Sequence, residues 1–360
     1  MKILYLINFA GKAGTEKYVE NLVRIFSAAG HECHLAYNVP GELSEKLAAR
    51  GVPELRLNME RSNALKAAKQ LAKYCADHGI EVIHAQYPRE NIVALLSLRY
   101  NSAPRVVYTN HLTLYTGRLW RILNHIFTPR DHKIIAVCNA GRDIMIRNGV
   151  CPDRIEVIYN GVEPAAYRSR DNAIRAEFGI GDDEFVMTIF ARYAPEKGLD
   201  FLLDVLAKVK ERALKPWRCI ICGDGEGFAA FGERSKSLGL TGEVIQAGYR
   251  TDTARFLAAS DLYLNTSSKN EAMSFAMLEA MNAAVPLVAT DVGGNRDLAE
   301  TNIVCGRVVD YGDVEGFAAA ILEIMNDASL RAELNRAAAR KIDEEFDLNK
   351  LAWDVFRAYQ

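Results

Sequence analysis

Short apolar segments alternate with amphipathic segments along the whole chain, and this alternation constrains the fold more than any other feature. In the first half, segments typical of buried strands fall at residues 3–8, 34–37, 82–84, 106–109 and 134–137. Helical patterns intervene at residues 16–29, 43–50, 64–78 and 92–98. In the second half the strand-like segments are residues 185–190, 218–222, 244–247, 262–265 and 287–290. This spacing favours doubly wound parallel sheets, so we expect two Rossmann-like α/β domains with a cleft between them.

The length of 360 residues suits two domains, each large enough for its own core. The polar stretch 168–172 looks like a linker. We therefore place an N-terminal domain at residues 1–167 and a C-terminal domain at residues 168–342. Residues 343–360 are expected to form a C-terminal helix that packs back toward the first domain.

The composition is that of a soluble globular protein in a reducing compartment. Hydrophobic residues make up 49% of the chain and charged residues 25%, and no apolar run reaches membrane-spanning length. The apolar start at residues 1–8 is too short for a signal peptide, so we expect a cytoplasmic protein. The seven cysteines show no framework spacing. Cys219 and Cys222 lie in a predicted strand with their thiols on opposite faces, so we expect structural cysteines and no metal site.

Residues 270–281 carry the strongest functional signal, because they place two glutamates around the start of a helix. Residues 261–268 alternate and then break, which predicts a strand that ends in a loop. Glu271 then falls in a strand-to-helix loop, and Glu279 lies inside the helix. Such a loop lies at the carboxyl edge of a parallel sheet, where ligands bind, and the helix N-terminus favours an anion. Solvated surface glutamates are the alternative, but Glu279 lies in an apolar run, where a charge needs a partner or solvent.

Two cations follow the predicted strand at 185–190 and so fall at its carboxyl end. Arg192 and Lys197 are suited to neutralise the negative charge of a departing phosphate. The alternative is a pair of solvated loop residues. In the functional interpretation they replace the divalent metal that some transferases use, so no metal and no cofactor is required.

Further segments join these two in a fixed order. They are Asn160-Gly-Val162, Ala191-Arg-Tyr-Ala-Pro-Glu-Lys-Gly198, Gly223-Asp-Gly-Glu226 and Ala289-Thr-Asp-Val-Gly-Gly294. Together with residues 270–281, the set resembles the retaining glycosyltransferases of the GT-B architecture, most closely glycosyltransferase family 4. The resemblance implies two Rossmann-like domains that face a central cleft. It also implies retaining transfer of a hexose-type sugar from a nucleotide diphosphate-sugar to an acceptor hydroxyl, in cell-surface polysaccharide or glycolipid synthesis.

The resemblance also implies roles for residues of the second half. Glu279 would bind the ribose hydroxyls, and Glu271 would contact the donor sugar. Arg250 lies where the family holds the base, largely through backbone atoms. The backbone N–H groups expected to face the diphosphate belong to Met273, Ser274 and Phe275.

In the first half, the resemblance implies two further contacts to the donor. Gly14, in the loop between the first strand and the first helix, is a candidate contact to the diphosphate. Lys12 and Ala13 depart there from the glycine pair that the family often has. His111 ends a strand and matches the histidine that contacts the donor sugar near the reacting carbon. A lone histidine is also commonly structural.

Other classes of function remain open at this stage. A dehydrogenase is weakly indicated, because residues 223–227 read G-x-G-x-G and not G-x-G-x-x-G. A sugar-nucleotide epimerase of the same architecture would bind the same donor and need no acceptor. A non-catalytic protein that binds nucleotide-sugars has less need of Arg192 and Lys197.

Charge is unevenly distributed and suggests a further partner. Residues 1–165 carry 21 basic and 15 acidic residues, a net of +6, whereas residues 166–360 carry 23 and 31, a net of −8. Residues 99–147 alone have a net of +6, with Trp120, Leu123 and Phe127 at helical spacing. This region either docks on an anionic membrane surface, at the inner face of the membrane, or is an ordinary core helix with solvated arginines. The expected acceptor is a saccharide, a lipid-linked sugar or a small molecule, and no nucleic-acid partner is expected.

Overall fold

The computed structural model describes residues 1–165 and 172–360. The chain forms two compact units, one of Met1–Asn160 with Asn349–Gln360 and one of Gly161–Leu348. The expected domain boundary between residues 167 and 168, and most of the expected linker, lie outside the described residues.

The first unit is built on a seven-stranded sheet whose strand pairs are all parallel. Its strands are β1 (Lys2–Phe9), β2 (Glu32–Val39), β3 (Glu54–Arg56), β4 (Val82–Ala85), β5 (Arg105–Asn110), β6 (Lys133–Ala136) and β7 (Ile155–Val157). Their order is β3-β2-β1-β4-β5-β6-β7, so strand addition reverses between β1 and β4. The carboxyl ends of strands beside such a reversal are where open α/β sheets bind ligands.

Amphipathic helices cover this sheet. They are α1 (Gly14–Ala28), α2 (Glu42–Ala49), α3 (Ala64–His78), α4 (Pro88–Ser97), α5 (Arg118–Phe127) and α6 (Asn139–Arg147). The periodicity of the sequence explains their packing: α1 buries Tyr18, Leu22 and Phe26, which recur every four residues along one face.

The second unit repeats this architecture with a six-stranded parallel sheet. Its strands are β8 (Phe185–Phe190), β9 (Trp217–Cys222), β10 (Val244–Gly248), β11 (Leu262–Asn265), β12 (Leu287–Thr290) and β13 (Gly306–Val309). Its helices are α7 (Ala173–Glu177), α8 (Leu199–Arg212), α9 (Phe228–Ser237), α10 (Thr253–Ala259), α11 (Phe275–Asn282), α12 (Asn295–Ala299), α13 (Val314–Asn326) and α14 (Ala328–Glu345). The order β10-β9-β8-β11-β12-β13 reverses between β8 and β11.

The last helix, α15 (Leu348–Arg357), leads the chain back to the first unit. The ring of Phe26 on α1 lies 5.9 Å from the ring of Trp353 and 5.5 Å from that of Phe356. Arg105, at the start of β5, donates hydrogen bonds of 2.8 Å to the carbonyl oxygens of Tyr359 and Gln360. The end of the chain is thus held against this sheet by aromatic packing and by a charged donor.

Five strands predicted in each half are present, and the two-domain α/β fold is confirmed. The short strands β3, β7 and β13 were not predicted. Helices α13 and α14 are separate elements. Asp327 lies between them, and its side chain caps α14 by accepting a hydrogen bond of 2.9 Å from the Leu330 N–H. Cys219 and Cys222 are buried in separate core clusters, as the strand prediction requires.

Candidate active site

The loop after β8 brings the two candidate cations to the carboxyl edge of the second sheet. Its 3-10 turn, Pro195–Lys197, ends at Gly198, whose φ of +63° suits glycine. A Cβ at Gly198 would collide with the carbonyl oxygen of Thr266, so the loop lies directly on the end of β11. The Thr266 hydroxyl donates to the Lys197 carbonyl oxygen at 2.9 Å, which fixes this approach.

Lys197 and Glu271 form an ion pair at this edge. The Lys197 Nζ lies 2.8 Å from the Glu271 Oε2, and the Ser267 hydroxyl donates to the same oxygen at 2.8 Å. The two side chains are 26% and 12% exposed, so the pair is only partly open to solvent. Sequence reasoning expected both residues in the site but did not find Ser267, or their direct contact.

The backbone that carries Glu271 is held in a strained and crowded conformation. The preceding residue, Asn270, has a φ of +61°. A Cβ at Gly293 would collide with the Glu271 carbonyl oxygen, and the Gly294 N–H donates to the Ala272 carbonyl oxygen at 2.8 Å. The segment after β12 therefore packs directly against the backbone of the Glu271 loop, and only a glycine at position 293 allows the two backbones to come this close. Strain of this kind is common at ligand sites.

The candidate phosphate-facing residues begin α11. Ser274 is its N-cap, and the Ser274 hydroxyl oxygen accepts a hydrogen bond of 3.4 Å from the Met277 N–H. Met273 is buried and Phe275, the first helical residue, is half-buried. Because the first N–H groups of a helix have no partner within the helix, this end provides donors and a positive dipole for an anion.

Glu279 lies one turn into α11 and is half-buried. Tyr263 of β11, the strand that precedes the Glu271 loop, is fully buried. Burial first, and then the charges of Glu271 and Glu279, raise the pKa of Tyr263 well above its usual value. The pKa of Tyr263 therefore responds to both candidate glutamates.

A pocket of about 640 Å³ lies beside this edge, at the ends of β8, β9 and β10. Its lining includes Arg192, Lys197, Gly223, Tyr249 and Arg250. A Cβ at Gly223 would collide with the Ala191 carbonyl oxygen, so the glycine sets how closely two of the lining loops approach. Arg192 is 73% exposed and pairs with Glu196 at 2.9 Å, so its guanidinium stays near the pocket mouth.

The side chain of Arg250 forms ion pairs with two carboxylates. Its guanidinium donates to Glu177 at 2.6 Å and to Asp252 at 2.8 Å, and it lies 4.8 Å from the centre of the Phe256 ring. Hydrogen bonds from Arg250 hold the pKa of Asp252 down at about 2. The side chain of Arg250 thus shapes the pocket wall, which leaves backbone atoms of this loop as the groups suited to a base. Sequence reasoning found Arg250 but neither partner.

In the first unit, His111 follows β5 and lies among polar and aromatic side chains. Its Nε2 is 3.0 Å from the Gln86 Oε1, and its ring lies edge-on to the rings of Tyr18 at 4.9 Å and Tyr87 at 5.9 Å. Burial lowers the pKa of His111 to about 3, so the imidazole is neutral at physiological pH. A neutral imidazole offers a donor on one nitrogen and an acceptor on the other.

Gly14 is the first residue of α1, at the end of the β1 loop. The buried side chain of Glu16 turns back onto this loop. Burial raises the pKa of Glu16, and hydrogen bonds from the backbone N–H groups of Gly11 and Ala13 oppose the rise. Two N–H groups of the loop before Gly14 are therefore bonded to a side chain of the same helix. Sequence reasoning did not find Glu16.

No group of three or more His, Cys, Asp or Glu side chains within residues 1–165 and 172–360 is arranged to hold a metal ion. The arrangement that these residues do offer is a set of cations, a helix N-terminus and two carboxylates along one sheet edge.

The fold and these site segments define a glycosyltransferase. Residues 13–166 match the model of Glycosyltransferase Family 4, and residues 170–341 match that of Glycosyl transferases group 1. The chain belongs to this family of GT-B glycosyltransferases.

Individual relatives are similar along most of their length. The chain is 23% identical to the N-acetyl-alpha-D-glucosaminyl L-malate synthase of Bacillus anthracis, over 95% of this chain and 91% of that protein. It is also 23% identical to the Escherichia coli UDP-Gal:alpha-D-GlcNAc-diphosphoundecaprenol alpha-1,3-galactosyltransferase, over 86% and 82%. The crystal structure of Anabaena Alr3699/HepE in complex with UDP superposes with a TM-score of 0.86 at 22% identity, covering 99% of each chain.

Proposed function

We propose that this protein is a retaining glycosyltransferase that moves a hexose-type sugar from a nucleotide diphosphate-sugar to an acceptor hydroxyl. The observation that carries the proposal is the Lys197–Glu271 pair, which lies with Ser267 at the carboxyl edge of the second sheet. A nucleotide diphosphate-sugar presents two phosphates and several hydroxyls. Cations suit the phosphates, and carboxylates suit the hydroxyls.

The cations act most strongly on the leaving group. The Lys197 ammonium has three N–H donors, of which one points to Glu271. The other two, with the guanidinium of Arg192, are available to the β-phosphate as the bond to the sugar breaks and charge develops on its oxygen. Donors fixed before the reaction stabilise that charge without reorganisation, so no divalent metal is needed. In the retaining reaction, the same phosphate oxygen accepts the proton of the acceptor hydroxyl on the face that the phosphate leaves.

Glu279 and Glu271 bind different parts of the nucleotide-sugar donor. Glu279, on the first turns of α11, accepts hydrogen bonds from the ribose hydroxyls. Glu271, nearer the end of β11 and already beside Lys197, meets the sugar. The base then occupies the pocket at Tyr249 and Arg250. We take the nucleotide to be UDP, in line with the UDP-bound neighbour.

A thermal-shift panel tests the donor. UDP, GDP, ADP and their hexose derivatives are added to the protein at about a hundred times the expected dissociation constant, where a true ligand stabilises by about 2.7 kcal/mol. The proposal expects UDP and UDP-hexoses to raise Tm clearly above the other nucleotides. Equal shifts with all bases, or none with any, would remove the assignment of this pocket.

The acceptor is proposed to be a lipid-linked or membrane-associated saccharide of cell-surface glycan synthesis. The E. coli relative is named for a diphosphoundecaprenol acceptor. No helix in the described part of the chain is long and apolar enough to cross a bilayer. We propose that the protein reaches this acceptor at the membrane surface.

Helix α5 has the surface that this requires. Leu119, Ile122 and Ile126 form an outward stripe and are 52%, 58% and 52% exposed. Arg118 and Arg121 are exposed beside the stripe. The sequence pattern had pointed instead to Trp120, Leu123 and Phe127, and these three are half-buried against their own unit. An apolar stripe with adjacent arginines suits the boundary between anionic headgroups and acyl chains.

Vesicle sedimentation tests this surface. Wild-type protein should bind anionic vesicles at low salt and neutral vesicles weakly. Replacing Leu119, Ile122 and Ile126 together with serine should abolish binding, whereas Leu214→Ser, at an 86% exposed leucine of the second unit, should have no effect. Equal binding of the wild type and the triple variant would show that α5 is not the docking surface.

A further inference from the structure

The hydrogen bonds around Gln86 determine which nitrogen of His111 carries the proton. The Gln86 amide nitrogen donates to the His84 carbonyl oxygen at 3.1 Å, so its oxygen Oε1 faces His111. That oxygen can only accept, so the His111 Nε2 must be the donor. In a neutral imidazole, the Nδ1 of His111 is then unprotonated and is a hydrogen-bond acceptor.

The ring of His111 is also held in place from two sides. Tyr18 and Tyr87 lie edge-on to it, with interplanar angles of 69° and 61°. Each tyrosine is anchored by its own hydroxyl. The Tyr18 hydroxyl lies 3.3 Å from the Thr109 hydroxyl, and the Tyr87 hydroxyl lies 2.7 Å from the Thr15 hydroxyl. The orientation of His111 therefore depends on two hydroxyl pairs that do not touch it.

One of these pairs continues into the end of the chain. The Thr109 hydroxyl is 2.7 Å from the Nε2 of His84, and the Nδ1 of His84 is 2.7 Å from the hydroxyl of Tyr359. His84, Thr109 and Tyr359 are all completely buried. Tyr18, Thr109, His84 and Tyr359 thus form a row of hydrogen-bonded side chains. Every hydroxyl and ring nitrogen in this row has a partner, so removal of one group leaves a buried polar atom unpaired. The row runs from the end of the chain, just past α15, to the tyrosine that contacts His111.

We propose that Gln86, His84 and Tyr359 are positioning residues that fix His111 as a neutral acceptor, with its Nδ1 available to a hydroxyl of the donor sugar. This rests on the proposed function and on the role that the family resemblance implies for His111 in it, a contact to the donor sugar. A hydroxyl group of the sugar would donate this hydrogen bond to the Nδ1 of His111, and no proton is transferred. The C-terminal segment would then help to orient His111 for the reaction, in addition to packing against the first unit.

The first test needs no variant. In a ¹⁵N–¹H correlation spectrum of the histidine rings, assigned by loss of signals in His111→Ala, the Nε2 of His111 should resonate as a protonated nitrogen and its Nδ1 as an unprotonated one. Protonated Nδ1, or exchange between both forms, would overturn the proposal.

The second test separates positioning from folding. Gln86→Glu keeps an acceptor for the Nε2 of His111 but adds a charge that favours the doubly protonated ring, and Tyr359→Phe removes one hydroxyl at constant shape. Misplacing a group by about 1 Å costs roughly a hundredfold, so we expect kcat to fall between about tenfold and a hundredfold, with the nucleotide Kd unchanged. In Gln86→Glu, activity should recover as pH rises and the Nδ1 of His111 loses its proton. Tyr100→Phe, at an exposed tyrosine of the same unit, is the control and should retain wild-type kcat.

The outcomes distinguish failure of the positioning network from failure of the proposed function on which it rests. If His111→Ala abolishes transfer while Gln86→Glu and Tyr359→Phe have normal kcat, the positioning network is wrong and the role of His111 stands. If His111→Ala itself transfers normally, the role of His111 in the proposed function is wrong. A fall in nucleotide affinity that matches the fall in kcat would show a general loss of structure and overturn the positioning role.

Discussion

Replacement of Lys197 with methionine removes one charge from the edge of the second sheet and leaves an unbranched apolar side chain that is one atom shorter. Two effects follow. Glu271, which is 12% exposed, loses its cation, whereas the Ser267 hydroxyl still donates to it. Because the Lys197 side chain is 26% exposed, solvent screens part of the pair, so we expect a stability loss of only about 1 kcal/mol. The larger effect is on the reaction. Loss of one preorganised donor to a developing oxyanion costs roughly 10²–10³ in kcat, or about 2.7–4 kcal/mol.

The assay is steady-state release of the nucleoside diphosphate, measured beside the Kd of the same nucleotide by calorimetry. kcat should fall far more than affinity, because the charge of Lys197 matters most when the diphosphate leaves. Lys208→Met is the matched control, since Lys208 also pairs with a carboxylate of the second unit, Glu211 at 2.9 Å, but on α8. A Lys197→Met enzyme whose kcat stays within about threefold of the wild type, under 1 kcal/mol in activation free energy, would refute the account of the leaving group.

Three further predictions concern single side chains. Glu279→Ala should weaken nucleoside diphosphate binding by about 1.5–3 kcal/mol in calorimetry, because the ribose loses a charged acceptor; an unchanged Kd would remove the assignment. Arg175→Met should lower the free energy of unfolding in urea by about 3–5 kcal/mol, because it leaves the buried carboxylate of Asp261 without its cation at 2.8 Å, whereas Arg212→Met, in an exposed pair, should cost under about 1 kcal/mol. Burial raises the pKa of Glu90 from about 4.5 to about 7, so the folded state holds a proton that the unfolded state releases between these values, and stability is lost as pH rises through that window. Glu90→Gln should therefore flatten the pH dependence of unfolding between pH 5 and 8, and an unchanged slope would show that Glu90 does not titrate there.

The main features of the second half were predictable because local pattern and tertiary position agree there. Residues 261–268 alternate as a strand and then break, so Glu271 had to fall at the carboxyl edge of a parallel sheet, which is where it lies. Ser274 precedes an apolar run, and the structure shows it as the cap of α11. The glycine at 293 is visible in the sequence, but its collision with Glu271 depends on how two loops meet.

Several missed features depend on contacts between residues far apart in the chain. Glu177 and Arg250 are 73 residues apart, and His84 and Tyr359 are 275 apart. No periodicity relates such pairs, so only the fold brings them together. The exposed stripe of α5 was missed for a different reason. Its apolar residues occupy two faces, and the pattern alone does not say that Trp120 packs inward while Ile122 faces outward.

The most direct test of the central claim is a single experiment on the wild-type protein in EDTA. The nucleotide-hexose selected by thermal shift is incubated with and without lipid-linked acceptor, and both free nucleoside diphosphate and the anomeric configuration of the product are followed by NMR. If Arg192 and Lys197 stabilise the leaving group without a metal, nucleoside diphosphate should appear only when acceptor is present and in equal amount to the glycoside. The glycoside should keep the anomeric configuration of the donor sugar. Conversion of the sugar while it remains attached to the nucleotide, an absolute need for divalent metal, or an inverted product would contradict it.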